Sequence, residues 1–563
     1  MRPLTRLLTA IYVVVVAGSQ SLSAQDPNRH ELLILSVGTG DALSELRQAD
    51  TTVNQLHRNG SLLLLPATKD PLVPSRTHER FRQYHEGVPI FGAEVTRQTT
   101  NGVAVSVFGK LHLAVALDTT PVLSPETAVQ TIEDLTGQPA RTLTFPTLVV
   151  LPNRGGRGGY RLVYEVRIFS GTQLMAYFID AVNGEVALAF NDLKTQQPTL
   201  PCVQCAIGAG VGVHSDQKKM SVTAVGGNFI AYDQLRPADL YTFDMRGDSM
   251  RTLEVLAGLT PLFDADLATD GDNQWSDGAT VDAHVGVGWT YDYLYRRFGR
   301  QGLNDLNVRM VSLVHPIDRA DFSRSSPQLI SLFNLNSFYC GLCGPDGVGV
   351  TVFGEGLPPH LRLDAQQVNF LAGALDIVAH ELAHGVTDFT SSLLYLDESG
   401  ALSEAFSDII GVGVEQYAEP LRQPKGGKTA DYLIGEDVFV PGGLRSLENP
   451  ALFGDPDHYS LRFLGTADNG GVHTNALIVG HAYYLAIEGG TNRVSGLEVN
   501  GVGAANREQI EQVFYRAFTL LLTRESDFSA AKVATTQSAR DLFGLGSAAE
   551  QAVTQAWTAV GVN

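Results

Sequence analysis

The stretch His380-Glu381-Leu382-Ala383-His384 decides how the second half of this chain folds. Residues four apart lie on the same face of a helix, so both imidazoles can face one metal ion with Glu381 beside them. A solvated surface helix could carry two such histidines without any metal, so a further ligand is required. The five residues predict a metal-binding helix that needs a partner.

Glu404 is the candidate partner. It lies in the segment 400–408, Gly-Ala-Leu-Ser-Glu-Ala-Phe-Ser-Asp, far enough after His384 for one helix to end and another to begin. Asp408 shares a helix face with Glu404 and can hydrogen-bond a histidine ligand from behind. Two histidines and one glutamate leave a coordination position open for water, which is typical of a catalytic zinc site.

The pattern around these motifs indicates an α+β fold with two lobes. From about residue 206 to 360, short strands alternate with turns rich in Gly, Asp and Asn. After about 365 the apolar residues recur at helical spacing, as in 401–417 and 507–521. A β-rich lobe joined to a helical lobe, with a cleft between them, is therefore expected.

Residues 25 to about 200 have a different sequence pattern from the rest of the chain, with mainly strand-like stretches. Hairpin signals at Asn101-Gly102 and Asn183-Gly184 separate strand-like stretches. Ser124-Pro125-Glu126 combines a capping residue, a proline and an acid, which predicts a helix start. Pro198 and Pro201 indicate a linker, so a domain boundary is placed near residue 200.

The chain is predicted to be exported. Arg2 and Arg6 precede an apolar run, residues 7–18, that is too short to span a membrane, which favours a cleavable signal peptide over residues 1–24. A formal charge of -20 argues against nucleic-acid or anionic-membrane partners. A secreted protein without a membrane partner after signal removal is the expectation.

The four cysteines form two Cys-x-x-Cys pairs, Cys202 with Cys205 and Cys340 with Cys343. This spacing fits disulfides, a zinc ribbon or a redox pair. Export favours disulfides, because an oxidising compartment lets them persist. Their connectivity stays open.

From about 206 to 563 the sequence resembles the thermolysin family of zinc metallopeptidases, and the region before 200 resembles that family's pro-segment. The resemblance rests on the two metal motifs and on these further blocks: 265–274, 281–284, 455–460, 468–475 and 559–562, with 81–95 and 179–185 in the pro-segment. The domains expected from it are a signal peptide (1–24), two propeptide modules (25–118 and 119–200), a β-rich catalytic lobe that includes the active-site helix (201–390) and an α-helical catalytic lobe (391–563).

The resemblance implies roles for individual residues. Zinc would be held by His380, His384 and Glu404, with Asp408 behind them, and Glu381 would be the general base toward a zinc-bound water. The remaining matches fall on residues around the substrate: Tyr395 and His473 would stabilise the tetrahedral oxygen, Asp468 would orient His473, and Asn336 and Arg445 would hold the substrate backbone.

A specificity pocket and calcium sites are also implied. An aliphatic pocket for the residue just after the cut would favour apolar side chains there; it would be formed by Val368, Leu371, Ile377, Ile434, Val438 and Leu444. Carboxylates crowded beside the active-site helix would repel one another unless Ca2+ bridged them. The expected calcium ligands are Asp376, Glu415, Asp431 and Glu436 in one cluster and Asp270, Asp272 and Gln274 in a separate loop.

Three departures from the family pattern stand out. The segment 437–445 is short, so the family's last calcium site is expected to be absent; Ser403 replaces an asparagine; and the loop 340–356 is long.

The expected protein is a monomeric secreted endopeptidase acting on proteins and peptides, made as a zymogen with its own propeptide as chaperone and inhibitor. The alternatives are a peptidase restricted to short peptides or free amino termini, a non-catalytic protein on a decayed scaffold, and an N-terminal region that is a permanent accessory domain.

Overall fold

The computed structural model describes residues 32–38, 43–137, 142, 145–153, 159–170, 173–191, 194–195, 205–343, 349–419 and 429–562. The predicted signal peptide, Pro198, Pro201 and Cys202 lie outside these residues. Within them, none of the helices has the length and apolar character needed to cross a bilayer.

The N-terminal region (residues 32–195) is built on one large sheet whose two antiparallel halves share the long strand β5. Helix α1 (Leu43–Arg58) packs on the first half and α2 (Pro125–Thr136) on the second. The strands are β1 (Leu32–Gly38), β2 (Leu62–Leu64), β3 (Thr68–Lys69), β4 (Arg76–His85), β5 (Val88–Thr100), β6 (Val103–His112), β7 (Thr147–Pro152), β8 (Tyr160–Ser170), β9 (Gln173–Asp180), β10 (Val186–Asn191) and β11 (Lys194–Thr195).

Local sequence signals explain these elements. Asn101 and Gly102 both have positive φ, 51° and 78°, which is the conformation that a tight hairpin between β5 and β6 requires. The Ser124 side chain accepts a hydrogen bond from the backbone N–H of Thr127, so it caps α2 as predicted.

The β-rich lobe (residues 205–390) contains two sheets packed around helix α4 (Gly278–Phe298). One sheet has the order β17-β14-β13-β12-β18 and the other the order β11-β20-β21-β19-β16-β15. The strands are β12 (Cys205–Val211), β13 (Gln217–Val225), β14 (Asn228–Ile230), β15 (Tyr232–Asp233), β16 (Leu240–Asp244), β17 (Thr269–Asp270), β18 (Gln274–Trp275), β19 (Met310–Val314), β20 (Phe338–Cys343), β21 (Val350–Val352) and β22 (Gln367–Val368).

Helix α4 corrects the expectation of strands and turns throughout 206–360. It is 21 residues long and is buried on most of its circumference, so its apolar residues do not follow one stripe. Two shorter helices, α3 (Ser249–Leu256) and α5 (Pro327–Phe333), also lie in this stretch, and α6 (Leu375–Asp388) ends the lobe.

The helical lobe (residues 391–562) surrounds the largest apolar core, to which α4 and α6 also contribute. Its helices are α7 (Asp397–Ala418), α8 (Asp468–Glu488), α9 (Arg507–Arg516), α10 (Phe528–Phe543) and α11 (Ala548–Ala559). Short strands lie between them: β23 (Leu433–Ile434), β24 (Phe439–Val440), β25 (Arg445–Ser446), β26 (Gly490–Thr491) and β27 (Glu498–Val499). The helical period predicted over 507–521 is interrupted, because α9 passes into a π-helical turn, Ala517–Leu521.

The N-terminal region touches both lobes. Its last strand, β11, pairs in parallel with β20, so it extends a sheet of the β-rich lobe. Leu394 of the helical lobe is buried among Phe91, Phe178 and Phe190 of the N-terminal region.

Candidate metal centre and cleft

Helices α6 and α7 bring the three predicted ligands together. The Nε2 atoms of His380 and His384 are 3.2 Å apart, and they lie 3.4 Å and 3.3 Å from the two carboxylate oxygens of Glu404. Each of the three residues offers one ligand atom, and these atoms all lie within 4.8 Å of one another. The side chains therefore converge on a single point.

Contacts at Nδ1, the ring nitrogen that faces away from the other ligands, orient both imidazoles. His380 Nδ1 donates to Asp408 at 2.8 Å, and His384 Nδ1 lies 3.2 Å from the Ser407 hydroxyl and 3.4 Å from that of Ser403. Ser403, the departure from the family's asparagine, thus lies within contact of a ligand histidine. These contacts leave the Nε2 lone pairs directed at the common point.

The donor set fits a divalent cation. Two imidazole nitrogens and a buried carboxylate at these separations repel one another unless a cation or proton lies between them. Burial raises the pKa of Glu404, but the imidazoles of His473 and His384 outweigh this and hold that pKa well below its usual range. Burial lowers the pKa of His380, whereas Asp408 and Glu404 raise it to about 10. The carboxylate is anionic and attracts positive charge to this point.

Glu381 lies beside the ligands on the wall of the cleft. Its side chain is buried, and burial raises its pKa above the ordinary value for a glutamate. A carboxylate with a raised pKa exchanges a proton more readily near neutral pH, which suits a general base that later serves as an acid.

Three further residues of the cleft lie close to the candidate ligands, namely Tyr395, His473 and Asp468. The Tyr395 hydroxyl donates to Glu404 and lies 3.3 Å from His473 Nε2. His473 Nδ1 donates to Asp468 at 2.7 Å. Burial lowers the pKa of His473, but Glu404 and Asp468 raise it above the ordinary value, so the ring favours the form that donates from both nitrogens.

An unusual turn positions His473. Four consecutive residues, 468–471, have positive φ, and the regular part of α8 follows them. A Cβ on Gly471 would lie 2.6 Å from the Phe463 ring, so only glycine fits there. Asp468 accepts from the backbone N–H of His473 at 3.0 Å, which ties the turn to the helix.

The ligands open into a cleft of about 490 Å³ between the lobes. Asn336, predicted to bind the substrate backbone, is exposed on its wall. Arg445 also lines the cleft, but its guanidinium is held by Asp408, with Nε to Oδ2 at 2.8 Å and Nη2 to Oδ1 at 2.6 Å. Arg445 therefore supports the carboxylate that holds His380, a contact that the sequence alone did not suggest.

Four of the six predicted pocket residues line this cleft, namely Leu371, Ile377, Ile434 and Leu444. Val368 and Val438 are buried in the aliphatic cluster that contains Leu371 and Ile377. Phe439, which was not predicted from the sequence, belongs to the same aliphatic cluster and also lines the cleft.

The predicted acidic residues beside α6 lie close enough for their charges to act on Glu436, and the cluster contains one further acid. Glu415, Glu436 and Asp437 place carboxylate oxygens within 4.8 Å of one another, and Asp437 was not predicted. Asp376 accepts from the backbone N–H groups of Ile377 and Gly435 at 2.8 Å and 2.5 Å.

Repulsion at this cluster is strong. Burial and then the charge of Asp376, Glu415, Asp437 and Asp431 raise the pKa of Glu436 to about 10. Its Oε2 atom is buried, and none of the residues that the structure describes donates a hydrogen bond to it. Oxygen ligands of this kind fit a hard cation such as Ca2+.

In the loop 270–274, the carboxylates predicted to bind calcium accept hydrogen bonds from backbone N–H groups of the same loop. Asp270 accepts from the N–H groups of Asp272 and Gln274 at 3.0 Å and 3.1 Å, and Asp272 accepts from Gln274 at 3.0 Å. The loop is exposed or half-buried throughout.

Cys340 and Cys343 form a disulfide inside β20, in agreement with the preference for disulfides. Both are fully buried, and the strand that they cross-link carries Phe338 and Tyr339 on the cleft wall. Cys205 is exposed at the start of β12, and its predicted neighbour Cys202 lies outside the described residues.

A two-lobe fold, a buried His-Glu-x-x-His helix and a third ligand from the next helix define a metallopeptidase. Comparison with known proteins specifies which kind. The sequence matches the thermolysin metallopeptidase catalytic domain over residues 207–388, the thermolysin metallopeptidase alpha-helical domain over 391–562 and the fungalysin/thermolysin propeptide motif over 76–111. This chain belongs to the thermolysin family, and it is a metalloendopeptidase with a propeptide.

Named relatives extend the match along the chain. A thermostable neutral protease, NprT, from Geobacillus stearothermophilus is 37% identical over 511 residues, which cover 86% of this chain and 83% of the relative. A thermolysin from Alicyclobacillus acidocaldarius is 34% identical over 554 residues, covering 93% and 91%. A neutral protease B from Bacillus subtilis is 34% identical over 514 residues, covering 88% and 83%.

Proposed function

We propose that the chain is the precursor of a secreted zinc endopeptidase, with zinc bound by His380, His384 and Glu404. The convergence of these three side chains beside the buried Glu381 is the observation that carries the proposal. A zinc ion held there would supply Lewis-acid chemistry, polarising a peptide carbonyl and lowering the pKa of water toward 7.

Glu381 takes a proton from the attacking water and returns it to the leaving amine. Its buried position and raised pKa support both steps, because the same carboxyl must accept and then donate within one turnover. Asp408 and Arg445 keep His380 in the orientation that the site needs.

His473 and Tyr395 donate hydrogen bonds to the carbonyl oxygen as negative charge develops on it. His473 is suited to this because Asp468 accepts from its Nδ1, which leaves Nε2 facing the cleft. Tyr395 must turn its hydroxyl away from Glu404 when substrate enters. Donors that face a developing charge in this way can supply a large share of rate enhancement.

The residue just after the cut is proposed to be apolar. Leu371, Ile377, Ile434, Leu444 and Phe439 give that part of the cleft an apolar wall. Each methylene buried there contributes about 0.8 kcal/mol. A peptide library that is cleaved mainly before charged residues would contradict this preference.

The N-terminal region is proposed to act as chaperone and inhibitor until it is removed, and the mature enzyme to be an extracellular monomer. Calcium at Glu415, Glu436 and Asp437, together with Asp376 and Asp431, is proposed to stabilise the helical lobe. Amino-terminal sequencing of secreted protein tests removal; start sites far from residue 200 would argue for a permanent accessory domain.

The central test is peptide cleavage by purified protein, with zinc content measured in the same sample. We expect one zinc per chain, loss of cleavage with a zinc chelator and recovery when zinc is returned. A protein that binds no zinc, or that cleaves equally well after zinc removal, would contradict the proposal.

A further inference from the structure

Arg516, the last residue of α9, is buried with none of its side chain exposed. Fully buried arginines are rare unless their charge is compensated. Part of the compensation comes from another region of the chain: Asp70 Oδ2 lies 2.9 Å from Nη2 and 3.0 Å from Nε, and Gln98 Oε1 also accepts from Nη2 at 2.7 Å. Both partners belong to the N-terminal region.

Asp541 of α10 has a matching partnership. Its carboxylate lies 2.9 Å from Arg516 Nη1 and 2.9 Å from Nη1 of Arg76, which is a residue of the N-terminal region. We call Asp70, Arg76, Gln98, Arg516 and Asp541 the buried ion network. It holds two acids and two arginines, one of each from either region, and each acid lies 2.9 Å from an arginine of the other region.

The N-terminal half of the network is held by contacts within its own region. Asp70 accepts from the backbone N–H groups of Leu72 and Val73 at 2.9 Å and 3.0 Å, and it lies 3.0 Å from His78 Nε2. A carboxylate held in this way presents its remaining oxygen lone pairs in a fixed direction. Arg516 meets a rigid acceptor, which makes the contact specific.

Contacts around the network show that this face of the helical lobe is fitted to the N-terminal region. Lys110 donates to the backbone oxygen of Glu525 at 2.6 Å, and Arg80 donates to that of Leu522 at 3.4 Å. A Cβ on Gly92 would lie 2.4 Å from the Glu525 side chain, so the two regions approach closely there. None of these residues lines the metal cleft.

We propose that Arg516 and Asp541 form a docking surface for the N-terminal region, and that the buried ion network keeps that region bound to the helical lobe after the connecting chain is cut. The inference rests on the proposed precursor role and adds to it a site of attachment away from the cleft. Separation of the regions would leave Arg516, Asp541, Asp70 and Arg76 without their cross-partners. Removing one charge while the regions are docked leaves the buried network with a net charge, which speeds dissociation.

The test uses the full chain in a Glu381→Gln background with a site for a specific protease inserted within 196–204. The background prevents the released region from being digested, so the result does not depend on peptidase activity, which is assayed separately. After cleavage, retention of the N-terminal region on the catalytic part is followed by size-exclusion chromatography and by the dissociation rate in a competition experiment.

Arg516→Gln and Asp70→Asn are each expected to speed dissociation at least about 30-fold, and the double variant less than the product of the two. Arg493→Gln is the matched control, because it breaks a bidentate pair with the buried Asp457 inside the helical lobe. It is expected to dissociate as the parent does.

Asp70→Asn keeps the proposal testable if Arg516→Gln does not fold, since it leaves the helical lobe unchanged. Dissociation of Asp70→Asn at the parent rate, or equal acceleration by Arg493→Gln, would overturn the proposal.

Discussion

Two arginines of the helical lobe are each held by an aspartate, with different consequences. Arg445 binds Asp408 through Nε and Nη2 at 2.8 Å and 2.6 Å, and both residues belong to the catalytic part of the chain. Arg516 binds Asp70 through the same two kinds of nitrogen at 3.0 Å and 2.9 Å, but Asp70 lies in the N-terminal region. The first pair survives loss of the N-terminal region, whereas the second cannot.

This comparison separates chemistry from attachment. The Arg445 pair supports a predicted metal ligand, because Asp408 also accepts from His380. The Arg516 pair joins two regions and reaches no residue of the cleft. Substitutions near one pair should therefore change activity or metal binding, and substitutions near the other should change how long the N-terminal region stays bound.

The largest expected effect is that of Glu381→Gln. Loss of the general base should reduce kcat/KM for a peptide by about 10²- to 10⁴-fold, since that is the usual contribution of general acid–base catalysis. Zinc content should stay at the parent value, which metal analysis would check. Cleavage within about threefold of the parent would show that another group takes the proton.

Asp408→Asn is expected to weaken metal binding by about 10- to 100-fold. The change removes the carboxylate charge that both His380 Nδ1 and Arg445 need, and it leaves the partly buried Arg445 without its hydrogen-bonded counter-charge. Competition with a chelator of known affinity measures the effect. Asp457→Asn, which affects the pair with Arg493 outside the cleft, is the control; equal metal affinity in both variants would contradict the role of Asp408.

Removal of calcium should lower the melting temperature by several degrees, because a cation that binds only the folded state contributes about 2.7 kcal/mol at a hundred times its Kd. The decrease in melting temperature on calcium removal should become larger as the pH rises. Without a cation, the pKa of Glu436 is raised to about 10 from 4.5, so the folded state keeps a proton that the unfolded state releases. Its contribution is present below pH 4.5 and is lost as pH rises toward 10.

Melting curves with and without a calcium chelator, taken from pH 5 to 8 with zinc retained, measure this effect. Glu436→Gln should remove most of the pH dependence of the chelated protein. A melting temperature that does not respond to the chelator would contradict calcium binding at the cluster.

The smallest expected effect is a pH dependence of docking. Burial lowers the pKa of His78 below 6.5, with the charge of Arg516 adding to this, whereas its hydrogen bond to Asp70 and the charge of Asp541 oppose it. A neutral imidazole is therefore favoured in the docked state. Undocking removes the charges of Arg516 and Asp541 from His78, and the Arg516 charge has the larger effect, so docking should weaken as the pH falls and His78 takes up a proton.

Dissociation rates between pH 7.5 and 5 should rise a few-fold, and His78→Gln should flatten the profile. Asp70 does not account for such a change, because its lowered pKa keeps it ionised over this range. A flat profile in the parent would show that His78 does not titrate on docking.

The sequence predicted which candidate metal ligands would meet, because that information is local. Four-residue spacing within α6 and within α7 fixes which side chains share a helix face. The resemblance to a known family indicated that these two helices face each other. Asp437 was missed because it directly follows Glu436, and neighbouring residues in irregular chain usually point apart. The contact of Arg445 with Asp408 carries no local signal.

The misses in the fold have a similar cause. Helix α4 is buried on most sides, so it lacks the single apolar stripe by which helices are recognised. The buried ion network joins residues more than four hundred positions apart. A lone arginine at the end of α9 looks like an ordinary basic residue at a helix C-terminus until its partners are seen.

The turn of four left-handed residues ahead of His473 has a consequence for engineering this enzyme. Two of its residues, Asp468 and Asn469, carry side chains in a backbone conformation that favours glycine, and Gly471 has no room for any side chain. Variation in this loop is therefore confined to positions outside 468–471. Libraries meant to alter catalysis through His473 would do better to vary the residues that its ring meets than the backbone that carries it.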